Sequence, residues 1–432
     1  MHRFASLLAL GLACGGDSGG AGTVGETGTG ASSTSGGPTS GAQEDTDAAP
    51  TTASPTTVSP TTDGPVGDTT SEDPTGTTAT TSGGTTGPAM TTDEPPPMTT
   101  DEPPPDPCAG QDEAPPEVEQ PGGLNEDPRY IQVYINNVEN LKSAGETCEG
   151  DWTDLIFYMK SYKPSPDLFL VQQISNSAQL DTLVQRMNTE LVGAFDGIIA
   201  EAEPKAGNFP CGHDKDQQTN AIVFRTGRFE KTGLRDDWLA WASDGGDGCM
   251  ESNQPRTRAV LATLHDKIAD KDVTVASIHW STASGTGDDP ACAKKNIDDV
   301  HAHLHKAEFA ADLYIFGGDF NESDRNANND YRAWYAKANG NLGGAFNYRD
   351  PVYRMCEPLD LLACLADNWT IGNGNRIDMM FAQDGQGCRA KTRHAHTVTF
   401  NEADDAAAMF EGQDQAGLDY SDHRAVRAEV YY

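Results

Sequence analysis

Five apolar runs of the chain end in polar residues that strand periodicity does not require. They are Asn137 closing Tyr130-Ile-Gln-Val-Tyr-Ile-Asn-Asn137, Gln173 in Leu170-Val-Gln-Gln-Ile174, His279 in Ile278-His-Trp-Ser281, Gly317-Gly-Asp319-Phe-Asn321, and Ser421-Asp422-His423. Arg376-Ile-Asp378 adds a charged pair where another apolar run begins. The set supplies carboxylates, imidazoles and amides, with no Ser-His elbow and no Walker loop beside them. Such an inventory suits metal-assisted phosphoester hydrolysis. Carboxylate and amide oxygens hold a hard cation, the cation and the imidazoles offset charge that builds on phosphorus, and an Asp near the metal activates water.

These residues need a rigid frame, and strand ends are where a sheet presents functional groups. Period-two and short apolar runs predict strands over 130–137, 167–174, 220–225, 257–264, 273–280, 313–316, 376–382 and 424–430. Helical spacing falls over 151–163, 178–192 and 293–310. Strands with interspersed helices, and no repeat of about 40 residues, predict a layered α/β domain rather than a propeller or solenoid.

In their order and wording the motifs resemble the endonuclease/exonuclease/phosphatase superfamily, the fold of pancreatic deoxyribonuclease and the abasic-site endonucleases. The resemblance runs from about Tyr130 to Tyr431. It implies an α/β four-layer sandwich, two packed mixed β-sheets flanked by helices, with the site at one end of the sheets. It implies that Asn137 lies close to metal and scissile phosphate, that His279 contacts the phosphate, and that Asp319 orients or deprotonates the attacking water. Asn321 would help bind the phosphate, Asp378 would hydrogen-bond the terminal His, Asp422 would lie near the metal, and His423 would be the catalytic His. The implied cofactor is Mg²⁺ or another divalent cation such as Ca²⁺ or Mn²⁺, held by Asn137, Gln173 and Asp422. One position departs from the pattern. The superfamily usually has Gln-Glu where this chain has Gln172-Gln173, and that Glu is its principal metal ligand. Gln173 keeps a carbonyl oxygen and loses the charge, so affinity for a hard cation falls. Glu139, two residues beyond Asn137, would face the same side if the strand continued.

Several residues have plainer readings. Asp378 can simply pair with Arg376. Arg258, in Thr257-Arg-Ala-Val260, suits a phosphate contact or a surface ion pair equally. His301, His303 and His305 alternate within a helix-like stretch and do not share one helical face, so a metal cluster is not expected there. Trp238-Leu-Ala-Trp241 is a candidate membrane wedge or an internal packing pair.

The rest of the chain sets the context. Of 432 residues carrying a net charge of -36, the first 125 hold 18 acids against Arg3 as the only Lys or Arg, and the remainder holds 48 acids against 29 bases. Residues 15–125 are rich in Gly, Thr, Ser and Pro, and Thr91-Thr-Asp-Glu-Pro-Pro-Pro recurs at Thr99. Such a tract reads as a solvated, disordered stalk ahead of a domain over 126–432. An acidic domain argues against tight, sequence-independent binding to long nucleic acid through a basic stripe. Residues 1–14 have a short basic start, an apolar stretch and small residues before Cys14, like a bacterial lipoprotein signal with Cys14 as the lipidated residue. The other eight cysteines predict four disulfides in an exported chain. The expectation is an exported monomer, in the periplasm, secreted or anchored at the cell surface, that meets the membrane only through its lipid. It would hydrolyse phosphodiesters, DNA or RNA before lipid. A sphingomyelinase-like phospholipase C and a non-catalytic surface binding protein with a degenerate metal site are the alternatives.

Overall fold

The computed structural model describes residues 106–117, 123–138, 155–156, 159–160, 165–204, 217–243, 248–282, 290–371, 374–398, 421 and 423–432. The strands are β1 (Tyr130–Asn137), β2 (Leu168–Ile174), β3 (Phe195–Ile199), β4 (Thr219–Arg225), β5 (Phe229–Leu239), β6 (Trp241–Ser243), β7 (Cys249–Glu251), β8 (Arg258–Asp266), β9 (Lys271–His279), β10 (Leu313–Asp319), β11 (Asp378–Asp384), β12 (Thr392–Thr397) and β13 (Val426–Tyr431). The α-helices are α1 (Ser177–Glu190), α2 (Ala291–Leu304), α3 (Ala333–Ala338), α4 (Pro351–Cys356) and α5 (Leu361–Asp367).

Two mixed sheets carry the fold. One runs β12-β13-β1-β2-β4-β3, the other β11-β10-β9-β8-β5, and β6-β7 form a small ribbon. Each large sheet has one parallel pair at its centre, β1 with β2 and β9 with β10, and antiparallel pairs elsewhere. Strict alternation explains how both faces of β1 and β2 are buried. Ile131, Val133, Ile135, Leu168 and Leu170 join the large core shared with the second sheet. Tyr134, Phe169 and Val171 face the other way, onto Leu180, Leu183 and Met187 of α1. Asn176 caps α1 by accepting the Gln179 amide at 3.0 Å. Beyond the second sheet, Ala293, Ile297 and Val300 of α2 and Trp334 of α3 belong to the shared core, where Trp334 stacks on Phe320 at 5.0 Å. This is the expected sandwich of two mixed sheets with helices.

Gly317 and Gly318 let the sheets close beneath the site. A Cβ on Gly317 would lie 2.1 Å from Ile135 Cδ1 of the facing sheet, and one on Gly318 would lie 1.9 Å from the Ile278 carbonyl. Gly318 also has φ +150, which a side chain rarely tolerates. On the facing sheet, β2 bulges. Its register against β4 shifts between Val171 and Ile174, and Gln173 there takes φ +59. A bulge at a strand end re-aims a side chain, here that of Gln173.

Two expectations change, and a third is seen in part. The spacer does not extend to 125, because residues 106–117 are fastened to the domain. Cys108 is bonded to Cys388, and Asp112 accepts from Arg349 at 2.7 Å and Arg389 at 2.8 Å. Three acids of this strap, Asp112, Glu113 and Glu117, find cations on the body, which offsets what its composition lacks in apolar surface. The tryptophans of Trp238-Leu-Ala-Trp241 sit in β5 and β6 rather than a free loop: Trp238 stacks on His303 at 4.1 Å, and Trp241 donates to Asp299. Of the cysteines, Cys108–Cys388, Cys249–Cys292 and Cys356–Cys364 are paired; Cys148 and Cys211 lie outside the described residues, as do Cys14, Glu139, Asp422 and most of 151–163.

Candidate active site

Register brings the first three groups together. Asp319 ends β10, and its pairing partners are His279 at the end of β9 and Asp378 at the start of β11. The three side chains therefore stand in a row across one sheet. The facing sheet supplies Asn137 from the end of β1, and the segment before β13 supplies His423. All five residues are buried.

Asp319 is the hub. Its Oδ2 accepts from Asn137 Nδ2 at 3.0 Å and lies 3.5 Å from His279 Nε2 and 3.7 Å from His423 Nε2. Its Oδ1 accepts the Asn321 backbone N–H at 2.8 Å. Asn321 takes φ +50 to make that turn, and its Nδ2 donates to the Trp280 carbonyl at 2.8 Å. His423 Nδ1 lies 2.9 Å from Asp378 Oδ2, which leaves Nε2 facing Asp319 and, at 3.4 Å, Asn137 Nδ2. An acceptor on Nδ1 fixes the tautomer and favours the imidazolium form. Arg376 does not pair with Asp378: it is buried between Asp350 at 2.6 Å and Asp324 at 2.8 Å. That frees Asp378 for His423 and clamps the loop after Asn321 to the start of β11.

Two hydroxyls support these groups, that of Thr370 and that of Ser421 from the Ser421-Asp422-His423 motif. Thr370 Oγ1 accepts the backbone N–H groups of Ile377 and Asp378, both at 2.9 Å, which sets the carboxylate's direction. Ser421 Oγ donates to the Asn137 carbonyl at 2.6 Å and accepts the His423 N–H at 3.0 Å, so it ties the two facing contributors together. Thr370 stands alone in a polar stretch, and nothing in the sequence around it points to the site.

Arg258 does not join the cluster. It begins β8, beside the end of β9, but its guanidinium pairs with Asp237 at 2.7 Å and Glu201 at 3.3 Å. Arg258 is held in ion pairs here.

The donor set fits a hard cation. Ligand atoms of Asp319, Asp378 and His423 lie within 4.8 Å of one another. Asp378 Oδ1 and Gln173 Oε1 are buried oxygens without a hydrogen-bond partner among the described residues, and an orphaned buried acceptor is what an oxygen-seeking cation satisfies. The carboxylates of the cluster are Asp319 and Asp378, and Gln173 offers a neutral oxygen on the bulge at the end of β2.

No family model matches the chain, and no curated protein matches it. Solved structures do. An endonuclease/exonuclease/phosphatase from Bacteroides vulgatus is 13% identical, with 70% of this chain and 98% of that one covered and a TM-score of 0.45. The human Nocturnin catalytic domain is 15% identical over 70% and 94% of the two chains, with a TM-score of 0.44. A mannosyl-6-phosphatase from Bacteroides thetaiotaomicron is 16% identical over 70% and 100%, with a TM-score of 0.43. The chain is similar to these proteins at low identity.

Proposed function

We propose that this chain is a phosphoester hydrolase assisted by a divalent cation, acting on phosphodiesters outside the cell, with DNA or RNA as substrate. The observation that carries the reading is the convergence of Asn137, His279, Asp319, Asp378 and His423, scattered over nearly three hundred positions, on one carboxylate. Asp319 takes the proton of the attacking water as its oxygen bonds to phosphorus. His423 holds a proton at Nε2 and gives it to the leaving oxygen as the P–O bond breaks, while Asp378 steadies the imidazolium. Asn137 and His279 keep the Asp319 carboxylate oriented and offer donors to phosphoryl oxygens. A cation held by Asp319 and the Gln173 carbonyl oxygen would supply charge neutralisation at the phosphoryl group when bound.

Disulfides among the described residues support an oxidising compartment, and anchorage through Cys14 belongs to the same proposal. No described helix is long and apolar enough to cross a membrane. The phospholipase alternative loses the wedge offered for it, since Trp238 and Trp241 are engaged with His303 and Asp299. A second reading, a binding protein that keeps the fold without turnover, is favoured by the neutral Gln173.

Incubating the full chain with plasmid DNA, RNA and sphingomyelin, in Mg²⁺, Ca²⁺, Mn²⁺ or EDTA, separates these readings. Nucleic-acid cleavage suppressed by EDTA, and reduced about 10²–10⁴-fold by His423→Ala, is the expected outcome. Cleavage of sphingomyelin alone would transfer the proposal to the lipase, and no turnover in any arm, with or without Gln173→Glu, to the binding protein.

A further inference from the structure

Away from the phosphoester site, two imidazoles converge on one phenol. His301 Nδ1 lies 2.9 Å from Tyr348 Oη, and His305 Nε2 lies 3.0 Å from the same oxygen. The two histidines are four apart at the end of α2 and so lie on one face, with ring centroids 4.5 Å apart; His303 points elsewhere, to Asp236 at 2.7 Å. Phe346 stacks on the His301 ring at 3.9 Å, and Tyr314 lies 4.3 Å from the His305 ring, so both rings are braced by their neighbours. Buried Gln383 faces His305, and its Oε1 makes no hydrogen bond of good geometry among the described residues. Burial and the neighbouring His305 hold His301 down to about 4, and burial also lowers His305. Both rings are therefore neutral at ordinary pH, the form in which imidazole binds metal.

Spacing separates a metal site from a plain hydrogen-bonded triad. Ligands of a tetrahedral ion at about 2.0–2.1 Å stand roughly 3.3 Å from one another, and the two nitrogen-to-oxygen separations here are 2.9 and 3.0 Å. An ion between them needs only small outward shifts. His305 is exposed at the helix end, which gives an entry path. Two imidazoles and a phenol oxygen suit a borderline transition metal rather than Mg²⁺ or Ca²⁺.

We propose that His301 Nδ1, His305 Nε2 and Tyr348 Oη form a binding site for a divalent transition-metal ion of the Zn²⁺ and Cu²⁺ class, separate from the phosphoester site. Tyr348 is fully buried and burial pushes its phenol pKa well up, so the ion has to displace that proton to solvent as the metal–oxygen bond forms. Gln383, behind His305, is a positioning residue that orients the ring.

Titrating the metal-stripped full chain with Co²⁺, as a spectroscopic stand-in for Zn²⁺, and following its visible absorption tests this. One equivalent of tightly held Co²⁺, displaced by Zn²⁺, is expected in the wild type and in Asp319→Asn. His305→Gln, a surface change, should weaken it by about tenfold or more, and His301→Gln should do the same. With Cu²⁺, the phenolate charge-transfer band should vanish in Tyr348→Phe. Unchanged Co²⁺ affinity in a folded His305→Gln protein overturns the proposal, as does loss of the signal in Asp319→Asn alone or no binding to the wild type.

Discussion

At the residue scale, the candidate site turns on the difference between an amide and a carboxylate. Gln173 is buried in a left-handed turn of a bulged strand with its Oε1 unpartnered. The backbone conformation that aims it persists whatever the side chain carries, so Gln173→Glu adds charge without needing new geometry. We expect Gln173→Glu to raise Mg²⁺ or Ca²⁺ affinity by about tenfold or more, measured by calorimetry on the full chain, and no gain in affinity would show that Gln173 is not a ligand. The polar residues themselves were legible because each interrupts an apolar run. What the sequence hid is their support. Thr370 acts through a single hydroxyl, and a lone hydroxyl has no pattern. Arg258 stayed open between two readings because a cation at a strand start looks alike whether it awaits a phosphate or, as here, is held by Asp237.

At the scale of elements, register does the positioning. His279, Asp319 and Asp378 are direct pairing partners across β9, β10 and β11, so a slip of one residue would turn Asp319 away from the site. Gly318 guards that register by letting β10 approach Ile278. Gly318→Ala would place a Cβ 1.9 Å from that carbonyl and should cost at least ~2 kcal/mol, seen as a lower denaturation midpoint together with reduced turnover. A variant of wild-type stability and activity would refute this account of the glycine. Buried strands such as β1 and β2 announced themselves by continuous or alternating apolar residues. β5 and β12 did not. β5 is an edge strand with most of its side chains exposed, and Phe-Glu-Lys-Thr-Gly-Leu-Arg-Asp-Asp has no apolar face to read. β12, Thr-Arg-His-Ala-His-Thr, is the opposite edge of the other sheet and equally polar. Edges pair through backbone, which the side-chain pattern does not report.

Across the whole molecule, charge and cross-links set the response to conditions. Burial holds both His301 and His396 at about 4, below their ordinary 6.5. The unfolded chain therefore binds more protons than the folded one in that window, and stability declines as pH falls from about 6.5 to about 4. Urea midpoints in EDTA should drop across this range, and His396→Gln should flatten part of the decline; a level profile would contradict the burial of these rings. Cys108–Cys388 joins positions 280 apart. Removing it with Cys108→Ser should cost about 2–5 kcal/mol yet leave turnover of the folded protein unchanged, because Cys388 follows the end of β11 opposite its Asp378 start. Loss of turnover in a fully folded Cys108→Ser protein would place the strap in the site after all. The same bond also decides where a mechanical pull is felt. Tension on the chain ahead of Cys108 passes through the two sulfurs into the turn between β11 and β12, and β1 feels none of it. Were the bond absent, that tug would reach β1, clamped between β13 and β2, and peel Asn137 away from Asp319. The disulfide is thus a mooring that diverts a pull on Cys108 away from the strand that carries Asn137.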